Sequence, residues 1–234
     1  MIKVTIWNEY KGQEKEEVQR VNPGGIHKTI EGFLKKEPDM VIRTAILDDE
    51  ECGLTQEVID DTDVLIWWGH AYHKEVPDHI VDRVVKAVQK GMGFIPLHSS
   101  HLAKPFTRLM GTTCTLKWRD GDREGLWTVL PFHPIAQGIP EKIVLPEEEM
   151  YGEPFDIPKP DEQIFLGWFS GGEVFRSGCL WNRGYGKIFY FQPGHETNPS
   201  YSNEHIQRII LNGVRYVCPQ IRRERIDCPH IPLD

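Results

Sequence analysis

The chain has 234 residues, 39% hydrophobic and 26% charged, and carries a net charge of −8 at pH 7. Those numbers suit one domain with a sizeable core. The acidic balance argues against a nucleic-acid partner, whose phosphates need a concentrated basic surface.

No stretch approaches the roughly 20 apolar residues that cross a membrane, and the opening "MIKVTIWNEY" lacks a signal-peptide pattern. The five cysteines (Cys52, Cys114, Cys179, Cys218 and Cys228) are scattered, with no Cys-x-x-Cys spacing. A cytoplasmic protein with reduced thiols is expected.

The first half alternates strands and helices. "IKVTIW" (2–7) is an apolar run of strand length, and 25–36 places Ile26, Ile30, Phe33 and Leu34 at helical spacing. A second strand covers 40–47, and Thr55 is placed to cap a short helix in "QEVIDD". "DVLIWWGH" (63–70) is nearly all apolar, as befits a strand covered on both faces. The helix after Pro77 shows Ile80, Val81, Val84, Val85 and Val88 on one face and stops at Gly91, before a fourth strand "GFIPL".

The second half is richer in strands: 126–132, 142–145, 163–169, 174–181 and 187–191, with hairpin-type turns. A last helix carries Ile206, Ile209, Ile210, Val214 and Val217 on one face. The fold class expected is α/β: a flavodoxin-like, doubly wound, mostly parallel sheet with added antiparallel strands in the second half. One domain spans 1–234, with 218–234 as a C-terminal tail that is either an ordered arm or a subunit contact.

In such a sheet, ligands bind beyond the carboxyl ends of the strands. Strand one delivers Trp7, Asn8 and Glu9, and strand three delivers Trp67, Trp68 and His70, with His73 close behind. The fourth delivers His98, Ser99, Ser100 and His101, and the last delivers Gln192, His195 and Glu196. Four segments therefore aim polar, imidazole-bearing residues at one edge. His70, His98 and His195 lie nearest their strand ends and are expected to face inward, while His73 and His101 are expected on the exposed rim.

Three imidazoles from separate strands suit a divalent metal such as zinc with an open coordination position; acid/base chemistry is the other use. Glu196 completes such a shell, orients a histidine or acts as base. No nucleotide cofactor motif is evident.

"LHSSH" lacks the flanking glycines of a Gly-x-Ser-x-Gly elbow, so Ser99 and Ser100 are expected to cap the following helix, where its N–H groups can hold an anionic group. The stretch 146–155 is either a solvated acidic loop or a lid, in which Glu149 and Tyr151 would contact substrate hydroxyls. Of seven tryptophans, Trp67, Trp127, Trp168 and Trp181 are assigned to the core, while Trp7 and Trp68 offer flat rings suited to a sugar face. "KWRDGDREG" (117–125) reads as a mixed-charge turn.

Together, "WWGH", "GFIPLHSS", "FHPIAQGIP", "EEMYGEPF" and "FYFQPGHE" resemble the ThuA-like (trehalose-utilisation) family of the class I glutamine amidotransferase-like superfamily. The resemblance runs from "IKVTIW" to "VRYV" and implies breakdown of disaccharides or related glycosides. Oxidised keto-sugar intermediates, made by a partner dehydrogenase, are part of that implication. Amidotransferase relatives carry a cysteine after the strand that matches "GFIPL"; here His98 stands there, which removes cysteine-dependent glutamine hydrolysis. Their His-Glu pair matches His195 and Glu196.

The expectation is an enzyme acting on a small sugar or keto-sugar derivative. His70, His98, His195 and Glu196 are its catalytic set, and Trp7, Trp68, Ser99, Glu149 and Tyr151 its substrate contacts. His70, His98 and His195 are the metal ligands if a metal is used. A non-catalytic sugar-binding protein and a serine-type hydrolase are the competing readings, and self-association into a homo-oligomer is left open.

Overall fold

The computed structural model describes residues 1–227, 230, 232 and 233. The first half runs β1 (Ile2–Asn8), α1 (Glu16–Val21), α2 (Ile26–Leu34), β2 (Met40–Ile46), α3 (Gln56–Asp60), β3 (Val64–Trp68), α4 (Asp78–Lys90), β4 (Gly93–Leu97) and α5 (Lys104–Met110). The second half runs β5 (Lys117–Thr128), β6 (Lys142–Gly152), β7 (Glu162–Phe169), β8 (Val174–Arg183), β9 (Gly186–Phe191) and α6 (Glu204–Val217).

All nine strands form one sheet in the order β2-β1-β3-β4-β9-β8-β7-β5-β6. The block β2-β1-β3-β4-β9 is parallel, and β8, β7, β5 and β6 extend it antiparallel. This is the flavodoxin-like arrangement with an antiparallel extension that the patterning predicts.

The local signals behave as their chemistry dictates. The Thr55 hydroxyl accepts from the Val58 N–H to cap α3, and Gly91 ends α4 at φ 129°. One core packs α2 and α6 against one sheet face through Ile30, Leu34, Ile209, Ile210 and Val214. The other packs α4 and α5 through Val81, Val84, Val88 and Phe106. Each such aliphatic side chain taken from water contributes about 1.5–3 kcal/mol.

Three expectations fail in the second half. Residues 117–125 are strand rather than turn, and 146–152 continue β6 rather than forming a loop. Trp127 and Trp168 are 36% and 40% exposed, not core. Their rings stand on a sheet face beside Val144 and Val174, which are also exposed.

In the tail, the Arg222 guanidinium donates to the Asp60 and Thr62 carbonyls, and the Arg223 N–H to the Lys90 carbonyl. Cys228 lies outside the described residues. Cys52, Cys114, Cys179 and Cys218 are free thiols. No helix among the described residues is long and apolar enough to cross a membrane.

Candidate active site

The end of β4 is unusual at the backbone. His98 adopts φ +51°, the left-handed region that costs a side-chain-bearing residue roughly 1–2 kcal/mol. The turn is held from several sides: the Tyr190 hydroxyl donates to the His98 carbonyl (2.9 Å), and the Ser99 hydroxyl to the Gly69 carbonyl (2.7 Å). Ser100 donates to the Trp67 carbonyl (3.0 Å) and accepts from the Gly69 N–H (2.9 Å). The serines thus tie β4 to β3. They do not cap α5, whose N-cap is Ala103 with no side-chain cap, and neither hydroxyl bonds a histidine among the described residues.

His98 Nδ1 lies 2.9 Å from the Gln192 carbonyl, which can only accept, so Nδ1 carries a proton. Its Nε2 then faces β6, 2.9 Å from Glu149 Oε2 and 3.3 Å from the Tyr151 hydroxyl. The Tyr151 ring stacks on the imidazole at 5.0 Å and 17°. Burial pushes the His98 pKa down, but the Glu149 carboxylate pushes it up and prevails. Burial raises Glu149, and the His98 imidazole more than offsets it, leaving the carboxyl below its usual range. Burial and the Glu149 charge push the Tyr151 phenol well up, so it stays protonated.

The turn after β9 brings the third histidine. Gly194 sits at φ +129° with its α-carbon against Tyr201, where a Cβ would fall 2.2 Å from the hydroxyl. The buried Glu148 carboxylate accepts from the Gly194 N–H (3.0 Å), the His195 N–H (3.2 Å), Asn198 Nδ2 (3.2 Å) and the Ser200 hydroxyl (2.5 Å), fixing the turn. His195 Nδ1 meets the Thr197 hydroxyl at 2.9 Å, and Nε2 lies 3.5 Å from Glu196 Oε2. Burial and the His98 charge push the His195 pKa down.

Glu196 pairs mainly with His70 rather than with His195: Oε1 is 2.8 Å from His70 Nδ1. Burial lowers His70, but Glu196 lifts it above its ordinary value. Burial raises Glu196, and the two imidazoles overcome that to hold it at about 2. The loop bearing His70 is itself held by Glu9, which accepts from the N–H groups of His70, Ala71 and Tyr72.

The His195 ring lies 5.3 Å from that of His70 and 5.5 Å from that of His98. A cleft of about 430 Å³ opens over His70, Glu149, Tyr151 and His195. His98 does not line it; it lies fully buried behind Glu149 and Tyr151.

The three expected metal ligands do not form one cluster. Two donor sets share His195 instead: His98, Glu149 and His195, and His70, His195 and Glu196, with ligand atoms within 4.8 Å of one another in each. The inward carboxylates replace the third imidazole.

Trp7 and Trp68 are 1% exposed and present no face to the cleft. Trp7 stacks on Trp67 at 3.9 Å and donates to the Cys52 carbonyl; Trp68 donates to the Gly194 carbonyl. His101, expected on the rim, is 5% exposed, with Nδ1 2.6 Å from the Cys114 carbonyl. Burial pushes its pKa down to about 4, and it lines the cleft. His73 is half-buried and does not line the cleft. Gln192 lies at this edge as its strand predicts, whereas Glu148 and Trp118 are not singled out for the site by the sequence.

Residues 3–217 match the family described as ThuA, trehalose utilisation. The chain belongs to the ThuA family. No curated protein matches it. Solved structures similar to this ThuA chain include a ThuA-like protein of Parabacteroides merdae, at TM-score 0.71 and 15% identity over 96% of this chain and 92% of that one. A cytoplasmic protein of Salmonella typhimurium gives TM-score 0.65 and 13% identity over 94% and 100%. A β-galactosidase of Rahnella sp. R3 gives 0.58 and 10% over 94% of this chain but 32% of its own. At these identities the likeness is one of fold.

Proposed function

We propose that this ThuA protein is a cytoplasmic enzyme of carbohydrate catabolism that transforms a small sugar or keto-sugar derivative in the cleft over Glu149 and His195. The observation that carries the reading is the pair of cleft imidazoles, 5.3 Å apart, whose environments push their pKa values in opposite directions. Groups separated in this way divide into an acid and a base. His70, charged by Glu196, gives a proton to a sugar oxygen. His195, kept neutral, takes one from a hydroxyl, a C–H beside a carbonyl, or water. The Tyr151 phenol donates to an oxygen that gains charge. The Glu149 carboxylate accepts from sugar hydroxyls. His98 is then a positioning residue that keeps Glu149 ionised.

The donor set of His98, Glu149 and His195 fits a divalent cation such as zinc. His98 donates through Nδ1 to the Gln192 carbonyl, which leaves its Nε2 free as a ligand, while His195 Nδ1 is held by the Thr197 hydroxyl and N–H. The contact of His98 Nε2 with Glu149 Oε2 requires a positive charge between them, either a proton or a metal ion. Bound there, a zinc ion would polarise a carbonyl or acidify a water.

Tag-free protein should be incubated with trehalose, other disaccharides and their keto derivatives, with product sugars followed by NMR and bound metal by elemental analysis. Turnover of at least one substrate is expected, falling about 10²–10⁴-fold in His195→Ala. Saturable sugar binding without turnover under zinc, manganese or metal-free conditions would leave a non-catalytic sugar-binding protein instead.

A further inference from the structure

The mouth of the cleft repeats the chemistry of its floor. In the β5–β6 hairpin, Trp118 pairs with Tyr151 and Arg119 with Met150. Paired residues project from the same face of a sheet, as do residues two apart on one strand. β5 therefore presents Trp118 on the side where β6 presents Tyr151 and Glu149; the strand bulges between Arg119 and Asp122, and Asp120 lines the same cleft as these three. An aromatic ring and a carboxylate two residues apart thus occur twice, in an inner row and an outer row.

The rows differ in access. Tyr151 and Glu149 are buried, whereas Trp118 is 63% exposed, the highest among the seven tryptophans. Asp120 is exposed as well. Leu102 and Leu116 line the same cleft and give this part an apolar flank. Arg119, between the two, is held by Glu173 and Asp122, which fixes the strand that carries them. The whole cleft, about 430 Å³, falls within the roughly 300–1,000 Å³ typical of small-molecule sites.

We infer that Trp118 and Asp120 form an outer subsite that takes the second ring of a two-ring glycoside. The indole stacks on the apolar C–H face of that ring, and the carboxylate accepts from hydroxyls at its edge. The first ring lies against Glu149, Tyr151 and His195. This assignment rests on the sugar-processing reading. It also gives the sugar-facing role to Trp118 rather than to the buried Trp7 and Trp68.

Isothermal titration of trehalose and of glucose tests it. Wild-type protein should bind trehalose about tenfold more tightly than glucose, the scale of one added stacking contact. Trp118→Ala should bring the two dissociation constants within about twofold of each other while leaving that for glucose unchanged. Trp118→Phe, which keeps a stacking ring, should retain most of the preference. Circular dichroism shows whether each variant is folded.

A folded Trp118→Ala protein that still prefers trehalose as strongly as wild type overturns the subsite while the sugar reading stands. Equal loss of both sugars in that variant also overturns it. Absence of trehalose binding to wild type overturns the subsite, and the sugar reading is then decided by the turnover assay with the other disaccharides and keto derivatives.

Discussion

Two histidine–carboxylate couples flank His195, and they differ chiefly in their access to water. In the His98–Glu149 couple the side chains are 0% and 7% exposed; in the His70–Glu196 couple they are 37% and 18%. Behind the cleft each charge has lost its hydration, so each partner depends on the other to stay ionised. At the cleft surface water and salt share that work, and the pair is worth less. The backbone differs too. His98 is held at a left-handed φ by β4, β6 and β9, while the His70 loop is organised by hydrogen bonds to Glu9. On the proposed reading, the sealed couple fixes what the cleft can bind and the open one supplies the proton that moves.

The largest effect should follow from breaking the sealed couple at its cleft end. In Glu149→Gln the carboxylate that lifts His98 is gone and burial prevails, so the imidazole should be neutral at pH 7. Turnover should fall by about 10²-fold or more, and an NMR titration should find the His98 pKa moved below its wild-type value. Unchanged turnover would show that the sealed couple is structural.

His98→Ala attacks the same couple from behind and should cost less, about 10–100-fold. Its signature is a shifted pH profile: without the imidazole, burial lifts Glu149, and the acid limb of the rate profile moves to higher pH. His98→Gly should lose as much activity yet melt at a higher temperature than His98→Ala, because glycine adopts φ +51° without strain. Equal melting temperatures would remove the strain argument.

The parallel half was legible because each polar residue follows an apolar run of strand length. His70, His98, His195 and Glu196 could be placed at one edge by counting. Their partners could not. Glu148 and Glu149 are adjacent on β6 and face opposite ways, one satisfied by the turn after β9 and the other by His98. Two acidic letters in a row read as solvated chain unless those partners are known. Trp127 and Trp168 misled for a related reason: apolar residues on both faces of β5 and β7 imitate a strand buried on both sides. His101 looked like a surface residue because its ring is tied down by a carbonyl thirteen residues away.

The smallest effect belongs to the open couple. Glu196→Gln removes the charge that holds His70 protonated, and turnover should fall about tenfold, less than for either sealed partner. Stability supplies an independent reading. Glu196 sits at about 2 when folded against an ordinary 4.5. Its contribution is therefore complete above about pH 4.5 and disappears as pH falls toward 2. His70, raised when folded, contributes below its ordinary 6.5, and that share is lost as pH rises through its folded value. The difference in melting temperature between wild type and Glu196→Gln should then be greatest between these limits, near pH 5–6, and close as pH approaches 2. Screening keeps it under about 1 kcal/mol. A gap that persists at pH 2 would mean that the glutamine perturbs packing rather than charge. The contrast between the couples would then rest on the sealed one alone.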